Sequence, residues 1–229
     1  MLAVAASETP NTSLVRAYDT HRLIPSRFGN SVLATIADSE AHLADLFELD
    51  SATNDRLLAE HSLLPGIGIH ELIFGVPYYR IVNAAFTHAH PLGSRFNGPD
   101  RGAWYCGLEV QTAQQEAAYH KTLDLIEVDY LYDEINYIDY LADFSGKFHD
   151  LRNIARYGKY LNPMSYVSSQ ELAQDLLAAG SLGVVYPSVR NTGGTCIACF
   201  RPVLVTNVRE DATYQFAWNG RPEPEITRA

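Results

Sequence analysis

The stretch from Ser94 to His120 constrains the fold most, because it places a turn, a strand and a helix close together. A polar loop containing Gly98-Pro99 is typical of a turn, and the apolar run Ala103–Cys106 is typical of a strand. Ala113–Leu123 then has good helix formers and neither Gly nor Pro, with Thr112 placed to cap it. This order predicts that a loop arginine, a strand tyrosine and a helix glutamate converge on one cleft.

Composition excludes several classes of protein. The chain has 229 residues, 47% hydrophobic and 19% charged, which fits one large globular domain or a domain with an extension. Its net charge is −10 with no Lys/Arg-rich run, which argues against direct nucleic-acid binding. No apolar run reaches membrane-spanning length, and no basic residue precedes the apolar start Met1–Ala6, so neither a membrane span nor a signal peptide is expected. Three cysteines make no disulfide framework, and we expect a cytoplasmic protein.

Patterning along the chain predicts an α+β domain whose sheet is mixed or mostly antiparallel, with flanking helices. A helix is expected from Ser168 or Ser169 to Ala179, with Gly180 just past its end. Asn191–Gly194 is typical of a turn. The expected strands are Phe74–Val82, one or two within Leu125–Tyr140, Gly183–Ser188, Thr195–Val205 and Thr213–Trp218.

The first part of the chain has a different sequence pattern. Ser39–Ala59 has the pattern of two short helices. We therefore predict a helical extension over residues 1–62, in front of a main domain over residues 63–229. The last residues, Gly220–Ala229, hold two prolines and several charges and are expected to be loose.

Four motifs, in this order, give the chain a family resemblance. The first is an arginine after aromatic residues, Tyr78-Tyr79-Arg80, and the second is the loop Ser94-Arg95-Phe96-Asn97. The third is Tyr105 on a strand, followed by Glu116 on the next helix, and the fourth is the segment Gly183–Arg190. With these motifs the chain resembles the RES-domain family, the toxin half of Xre–RES toxin–antitoxin pairs.

The resemblance covers about Leu64 to Val205, and it departs from the family pattern at Phe96, where Trp is usual, and at Ser94, where Gly is usual. It implies a fold akin to the ADP-ribosyltransferases and NAD⁺ as a substrate cleaved at the nicotinamide–ribose bond, with no separate cofactor. The acceptor stays open between water or phosphate, which depletes NAD⁺, and a protein, which becomes ADP-ribosylated. It also implies growth arrest and a DNA-binding Xre antitoxin that blocks the cleft.

Three residues are predicted to be catalytic under this resemblance. Glu116 is the carboxylate expected to hold the ribose and orient the nucleophile, and the alternative is a solvated helix glutamate. Arg80 is expected to bind phosphate oxygens through its planar guanidinium, and the alternative is an ion pair at a strand end. Tyr105 is expected to position nicotinamide or donate its hydroxyl, and the alternative is a core tyrosine.

Five further residues are predicted to bind NAD⁺. Arg95 is expected on a phosphate, Ser188 on the ribose or a phosphate, and Asn97 on its own loop or on nicotinamide. Tyr79 is a second ring candidate, although neighbours on a strand face opposite sides, and Arg190 would add charge at the rim. An inactive binding module of the same fold and a homo-oligomer stay open.

Two metal-like patterns are set aside, and no metal site is expected. Cys196 and Cys199 fall on a strand-like run that directs their sulfurs to opposite faces, which favours core cysteines. His88 and His90 have no third ligand nearby in the sequence, which favours a loop.

Overall fold

The computed structural model describes residues 9–29 and 66–229, in which seven strands form one mixed sheet flanked by five α-helices. The strands are β1 Thr12–Pro25, β2 Trp104–Gly107, β3 Tyr132–Asp150, β4 Gly183–Pro187, β5 Thr195–Cys199, β6 Thr206–Asn219 and β7 Glu225–Arg228. The helices are α1 Ser26–Gly29, α2 Tyr79–Thr87, α3 Val110–Glu127, α4 Ile154–Tyr157 and α5 Val167–Ala178. The α+β class predicted from the sequence is confirmed. None of these described helices has the length and apolar character needed to cross a membrane.

Strand pairing closes on itself in part of the sheet. The order is β1-β2-β5-β4-β3-β6-β7, and β1 also pairs with β3, so β1, β2, β5, β4 and β3 form a closed circuit. β3 and β4 run parallel, with His149 opposite Val184, while the other pairs are antiparallel. β3 therefore connects both halves of the sheet, because it borders β1, β4 and β6.

The sheet separates two hydrophobic cores. Trp104 and Cys106 on β2 point to a core that includes Val82 and Phe86 of α2, whereas the other face packs against α5. A third, smaller core lies between α3 and strands β3 and β6. Successive residues of β2 therefore point to different cores, because side chains alternate between the two faces of a strand.

The segment Phe74–Val82 was predicted to be a strand, and this prediction is wrong. Helix α2 begins at Tyr79, after Tyr78 in a left-handed backbone conformation with φ 59. Val82 and Phe86 lie four residues apart and are fully buried in the core beside Trp104. This helical spacing outweighs the local strand propensity of a run rich in tyrosine and valine.

The expected helical extension is also corrected where the structure describes it. Thr12–Pro25 is a strand, and it pairs with β3 along Tyr137–His149. The expected helices over Ser39–Ala59 and the predicted boundary between residues 62 and 63 lie outside the described residues. At the other end, Glu225–Arg228 pairs with β6, so the prediction of a loose tail is wrong.

The remaining predicted elements are present, but their first or last residues differ from those predicted. The turn over Asn191–Gly194 is confirmed, and α5 is confirmed as a helix, although it begins at Val167 and its N-cap is Tyr166. The strand predicted within Leu125–Tyr140 exists as β3, but α3 extends to Glu127 before it. Two more expected strands differ in length, because β5 ends at Cys199 and β6 is longer than predicted.

Glu71 links three segments of the chain through hydrogen bonds to two arginines. Arg101 donates two hydrogen bonds to its carboxylate, at 2.9 and 2.8 Å, and Arg201 donates a third at 2.8 Å. Arg101 also donates to the carbonyl of Phe200. The hydrogen bonds from Arg101 are the main reason that the pKa of Glu71 falls to about 2.

We predict that Glu71→Gln lowers the free energy of unfolding by about 2 kcal/mol, because two arginines lose their charged partner. Because the folded state depresses this pKa from 4.5 to about 2, the stabilisation is complete above pH 4.5. It is lost as the pH falls towards 2. Denaturant unfolding from pH 7 to pH 3 measures both effects. Glu223→Gln, at an exposed position, is the matched control, and an equal loss in both variants would contradict the role of Glu71.

Candidate active site

The site forms at one end of three neighbouring strands, β2, β5 and β4. β2 ends at Gly107, which lies opposite Cys196 at the start of β5. β4 ends at Pro187, which lies opposite Thr195. The loops that follow β2 and β4 therefore leave the sheet side by side and bring the start of α3 against the segment from Ser188 to Gly194.

Close backbone packing at this junction depends on glycine. A side chain at Gly194 would place its Cβ 2.2 Å from the Thr112 hydroxyl oxygen. Thr112 was predicted to cap α3, but the N-cap is Glu109, and Thr112 is a buried residue of the first turn. Its hydroxyl donates to Glu109 at 2.6 Å and accepts from the Asn191 side chain at 2.9 Å, which fixes the helix start to the loop.

Glu116 and Ser188 meet across this junction. The Ser188 hydroxyl donates a hydrogen bond of 2.7 Å to Oε1 of Glu116. The same hydroxyl oxygen accepts from the backbone N–H groups of Arg190, at 3.1 Å, and Asn191, at 3.0 Å. Its lone pairs are therefore occupied and its single proton is directed at the carboxylate. Oε2 of Glu116 makes no hydrogen bond to any described residue.

Arg190 forms one wall beside this carboxylate. Its guanidinium carbon lies 3.3 Å from the centre of the Tyr119 ring, and its Nη2 donates to the carbonyl of Pro163 at 2.8 Å. Tyr119 is one turn after Glu116 on α3, and its ring contacts that of His120. The predicted rim position of Arg190 thus lies next to the glutamate, with its charge held against an aromatic face.

Tyr105 and Asn97 form a second part of the site. The Tyr105 hydroxyl donates to Oδ1 of Asn97 at 2.8 Å and accepts from the Phe96 backbone N–H at 2.9 Å. Burial raises the pKa of Tyr105, so its phenol stays protonated at physiological pH. The phenol therefore holds the loop after Ser94 in place, and Asn97 is fixed by it.

Arg95 is buried in the same region, with 6% of its surface exposed. Its Nη1 donates to the carbonyl of Asn162 at 2.8 Å, and its guanidinium carbon lies 4.6 Å from the centre of the Tyr166 ring. Arg95 is therefore a buried cation and not an exposed charge on a loop.

Arg22 is a candidate that the sequence reasoning missed. A cavity of about 370 Å³ is lined by Arg22 on β1, Tyr105 on β2, Asn97 and the face of α2 that carries Ile81. Arg22 Nη1 donates to the Tyr105 carbonyl at 3.0 Å, and its guanidinium carbon lies 4.7 Å from the centre of the Trp104 ring. Burial lowers its pKa to about 10, and its buried Nε has no hydrogen-bond partner among the described residues. A cation held this way beside a cavity suits an anionic ligand.

The structure does not bring Arg80 and Tyr79 to the site in the manner expected. Tyr79 is buried, with 3% of its surface exposed, and its ring packs against Phe74. Arg80 is exposed on α2, one turn before Ala84, which lines the cavity. The two side chains face different directions, as expected, but they are neighbours on a helix and not on a strand. The functional role of each stays a prediction.

Electrostatics link the two parts of the site. Desolvation lowers the pKa of His120, although the residue keeps contact with solvent. The Glu116 carboxylate opposes this shift, and the charges of Arg190 and Arg95 add to it. Burial is the main reason that the pKa of Tyr186 is raised, and Glu116 and Arg95 act on that phenol as well. The carboxylate and the two arginines therefore lie close enough to the imidazole to influence its charge.

The cysteines are buried, and their surroundings disfavour the thiolate form. Cys196 and Cys199 are free, are buried and belong to different cores, so the prediction of opposite faces is confirmed. Burial raises the pKa of both thiols, and that of Cys199 reaches about 12. Cys196 Sγ lies 3.8 Å from Oε1 of Glu116 and serves as packing beneath the carboxylate. His88 and His90 follow the end of α2 in a loop, as expected.

This arrangement defines a class of site: a fixed carboxylate, buried guanidinium groups and aromatic rings at the open end of a mixed sheet. Residues 72–219 match the RES domain, and the chain belongs to the RES-domain family. The chain is also 26% identical over 201 residues to the uncharacterized protein y4oC of Sinorhizobium fredii, covering 87% of this chain and 83% of that protein. A chain of the crystal structure of the M. tuberculosis MbcT–MbcA toxin–antitoxin complex is 12% identical, with a TM-score of 0.46, covering 90% of this chain and 87% of that one.

We predict that Tyr105→Phe lowers the free energy of unfolding by about 1–3 kcal/mol, because Asn97 and the Phe96 N–H lose their shared partner. Thermal or denaturant unfolding measures the change. Tyr18→Phe is the control, since Tyr18 is 68% exposed. Unfolding of Tyr105→Phe at the wild-type midpoint would mean that this hydroxyl does not hold the loop.

Proposed function

We propose that this protein is the toxin of a toxin–antitoxin pair and cleaves NAD⁺ at the nicotinamide–ribose bond, transferring the ADP-ribosyl group to water or phosphate. Membership of the RES-domain family supports the class. The observation that carries the proposal is the hydrogen bond of 2.7 Å between Ser188 and Glu116, which orients a carboxylate whose second oxygen makes no hydrogen bond to a described residue.

The chemistry needs this kind of carboxylate. Nicotinamide leaves as a neutral molecule, taking the electron pair of the glycosidic bond, and the ribose acquires oxocarbenium character. A negative charge beside the ring favours the transition state over the ground state, because positive charge develops on the ribose only as the bond breaks. In this proposal Oε2 of Glu116 binds a ribose hydroxyl, and Ser188 keeps the carboxylate in position.

The pyrophosphate needs fixed cations. Arg95 and Arg22 are the guanidinium groups best placed for it, because both are held by backbone carbonyls and aromatic rings. Such fixed groups lose little conformational entropy when a phosphate binds. Arg190 lies beside Glu116 and suits the nicotinamide end or the incoming nucleophile. In a cell without the antitoxin, loss of NAD⁺ would arrest growth.

We predict that Glu116→Gln reduces nicotinamide release by on the order of 100- to 1000-fold, because the charge that stabilises the ribose is lost. Purified protein is incubated with NAD⁺, with and without phosphate, and nicotinamide and ADP-ribose products are followed by chromatography. Glu127→Gln, on the same helix, should retain the wild-type rate. Cleavage at the wild-type rate by Glu116→Gln would remove this residue from the mechanism, and labelled protein in place of free products would indicate ADP-ribosylation of a protein.

A paired comparison separates the two arginine assignments. We predict that Arg22→Lys reduces nicotinamide release by roughly tenfold or more, because an ammonium group cannot make the paired contacts of a guanidinium. Arg80→Lys tests the earlier prediction in the same assay, for which at least roughly a tenfold loss is also expected if Arg80 binds phosphate. An unchanged rate in either variant removes that residue from NAD⁺ binding.

A further inference from the structure

Asn191 lies at a branch point of the hydrogen bonds around the candidate active site. Its backbone N–H donates to the Ser188 hydroxyl oxygen at 3.0 Å, and its side-chain Nδ2 donates to the Thr112 hydroxyl oxygen at 2.9 Å. Asn191 is half-buried and begins the turn that Gly194 closes by donating to the Asn191 carbonyl at 3.0 Å. One residue therefore contacts both the serine that orients Glu116 and the first turn of α3.

The side-chain branch ends on a carboxylate. A hydroxyl has one proton, and Thr112 donates its proton to Oε2 of Glu109 at 2.6 Å, so the hydroxyl oxygen accepts from Asn191. Oε2 of Glu109 also accepts from the backbone N–H of Thr195 at 3.2 Å. Donation therefore runs in one direction along this branch, and the Asn191 side chain takes part in it as a donor.

The backbone branch has the same form and ends on Glu116. The Ser188 hydroxyl accepts from the N–H groups of Arg190 and Asn191, so its proton is directed at Oε1 of Glu116, 2.7 Å away. This direction depends on the turn keeping both N–H groups beside the serine. The hydrogen bond from the Asn191 side chain to Thr112 ties that turn to the helix that carries Glu116.

We infer that Asn191 is a positioning residue for NAD⁺ cleavage. Its side chain, held by Thr112, fixes the turn whose N–H groups direct the Ser188 proton at Glu116. The inference rests on the proposed function for its effect on the reaction. Because Asn191 acts through Ser188 and not on the substrate, its loss should slow the chemical step and leave NAD⁺ binding largely unchanged.

The direction of donation makes the role of Asn191 specific to its amide. Aspartate has nearly the same shape as asparagine, but at neutral pH it is ionised and can only accept hydrogen bonds. In Asn191→Asp two carboxylates, those of residue 191 and Glu109, would face the single proton of Thr112. A residue that only fills space would tolerate this replacement, whereas a donor would not.

Kinetics of nicotinamide release by the full-length protein test the role of Asn191. We expect Asn191→Ala to lower kcat by roughly tenfold, with KM within about twofold of the wild type. Asn191→Asp should lower kcat further. Thr192→Asp is the matched control, because Thr192 is exposed on the same turn and gains the same charge. Equal losses in Asn191→Asp and Thr192→Asp, or a raised KM with an unchanged kcat, would overturn the inference.

Substitutions of Thr112 test the same hydrogen bond from its other end. Thr112→Ser, which keeps the hydroxyl, should have a kcat roughly tenfold higher than that of Thr112→Val, which does not. If both residues act through one bond, Thr112→Val combined with Asn191→Ala should lose no more than either single variant, and additive losses would contradict this. Thr112 is buried, so thermal unfolding first establishes that each variant is folded. If Thr112→Val is not, the comparison of Asn191→Asp with Thr192→Asp still decides.

A measurement without turnover separates this inference from the proposed function. Crystal structures of the wild type and Asn191→Asp give the distance between the Ser188 hydroxyl and Oε1 of Glu116, which is 2.7 Å in the wild type. We expect it to exceed about 3.5 Å in the variant, beyond hydrogen-bonding range. An intact hydrogen bond would overturn the positioning role, even if NAD⁺ is cleaved. A broken bond, with a wild type that releases no nicotinamide, would support the positioning of Glu116 and reject NAD⁺ cleavage.

Discussion

The hydrogen bond between Ser188 and Glu116 depends on how β2, β5 and β4 are paired. These three short strands are antiparallel neighbours, so the chain leaves β2 and β4 at the same edge and enters β5 there. The helix after β2 and the loop after β4 consequently meet, although Glu116 and Ser188 are 72 residues apart. A shift of register in this triplet would turn Tyr105 towards the opposite core and separate the carboxylate from its donor.

Two arginines in the site are held by similar means. Arg22 stacks on Trp104 and donates to a backbone carbonyl, and Arg95 stacks near Tyr166 and also donates to a backbone carbonyl. Neither contact neutralises the guanidinium charge, because a carbonyl and a ring face are only partial negative charges. By contrast, Arg101 and Arg201 are paired with Glu71, which makes them structural. An arginine held by carbonyls and aromatic rings keeps its positive charge for an anion, whereas an arginine paired with a carboxylate does not. The chemical nature of the partner, more than burial, therefore separates the two kinds of arginine.

The sequence predicts the local parts of this site better than the distant ones. Tyr105 and Glu116 lie on a strand and a helix whose patterns are visible within about twenty residues, and Ser188 follows a short buried strand. Arg22 has no such signal, because its surroundings come from β2, and its own strand pairs with β3, more than 110 residues away. The strand predicted around Tyr79 and Arg80 is wrong for a related reason: strand propensity is local, whereas the helix there is stabilised by the burial of Val82 and Phe86 against Trp104. What could be predicted was encoded within one element, and what could not depends on contacts between distant elements.

The pairing of β1 with β3 has a consequence for synthesis on the ribosome. Thr12–Pro25 emerges early, but the strand that it pairs with is not complete until Asp150 has been made. The serine that orients the carboxylate, and the strand β5 beside it, are made later still. Pairings so distant in sequence form slowly, because a long loop must close before any contact stabilises it. A nascent chain therefore cannot assemble this site until β5 has left the ribosomal exit tunnel, however early β1 was made.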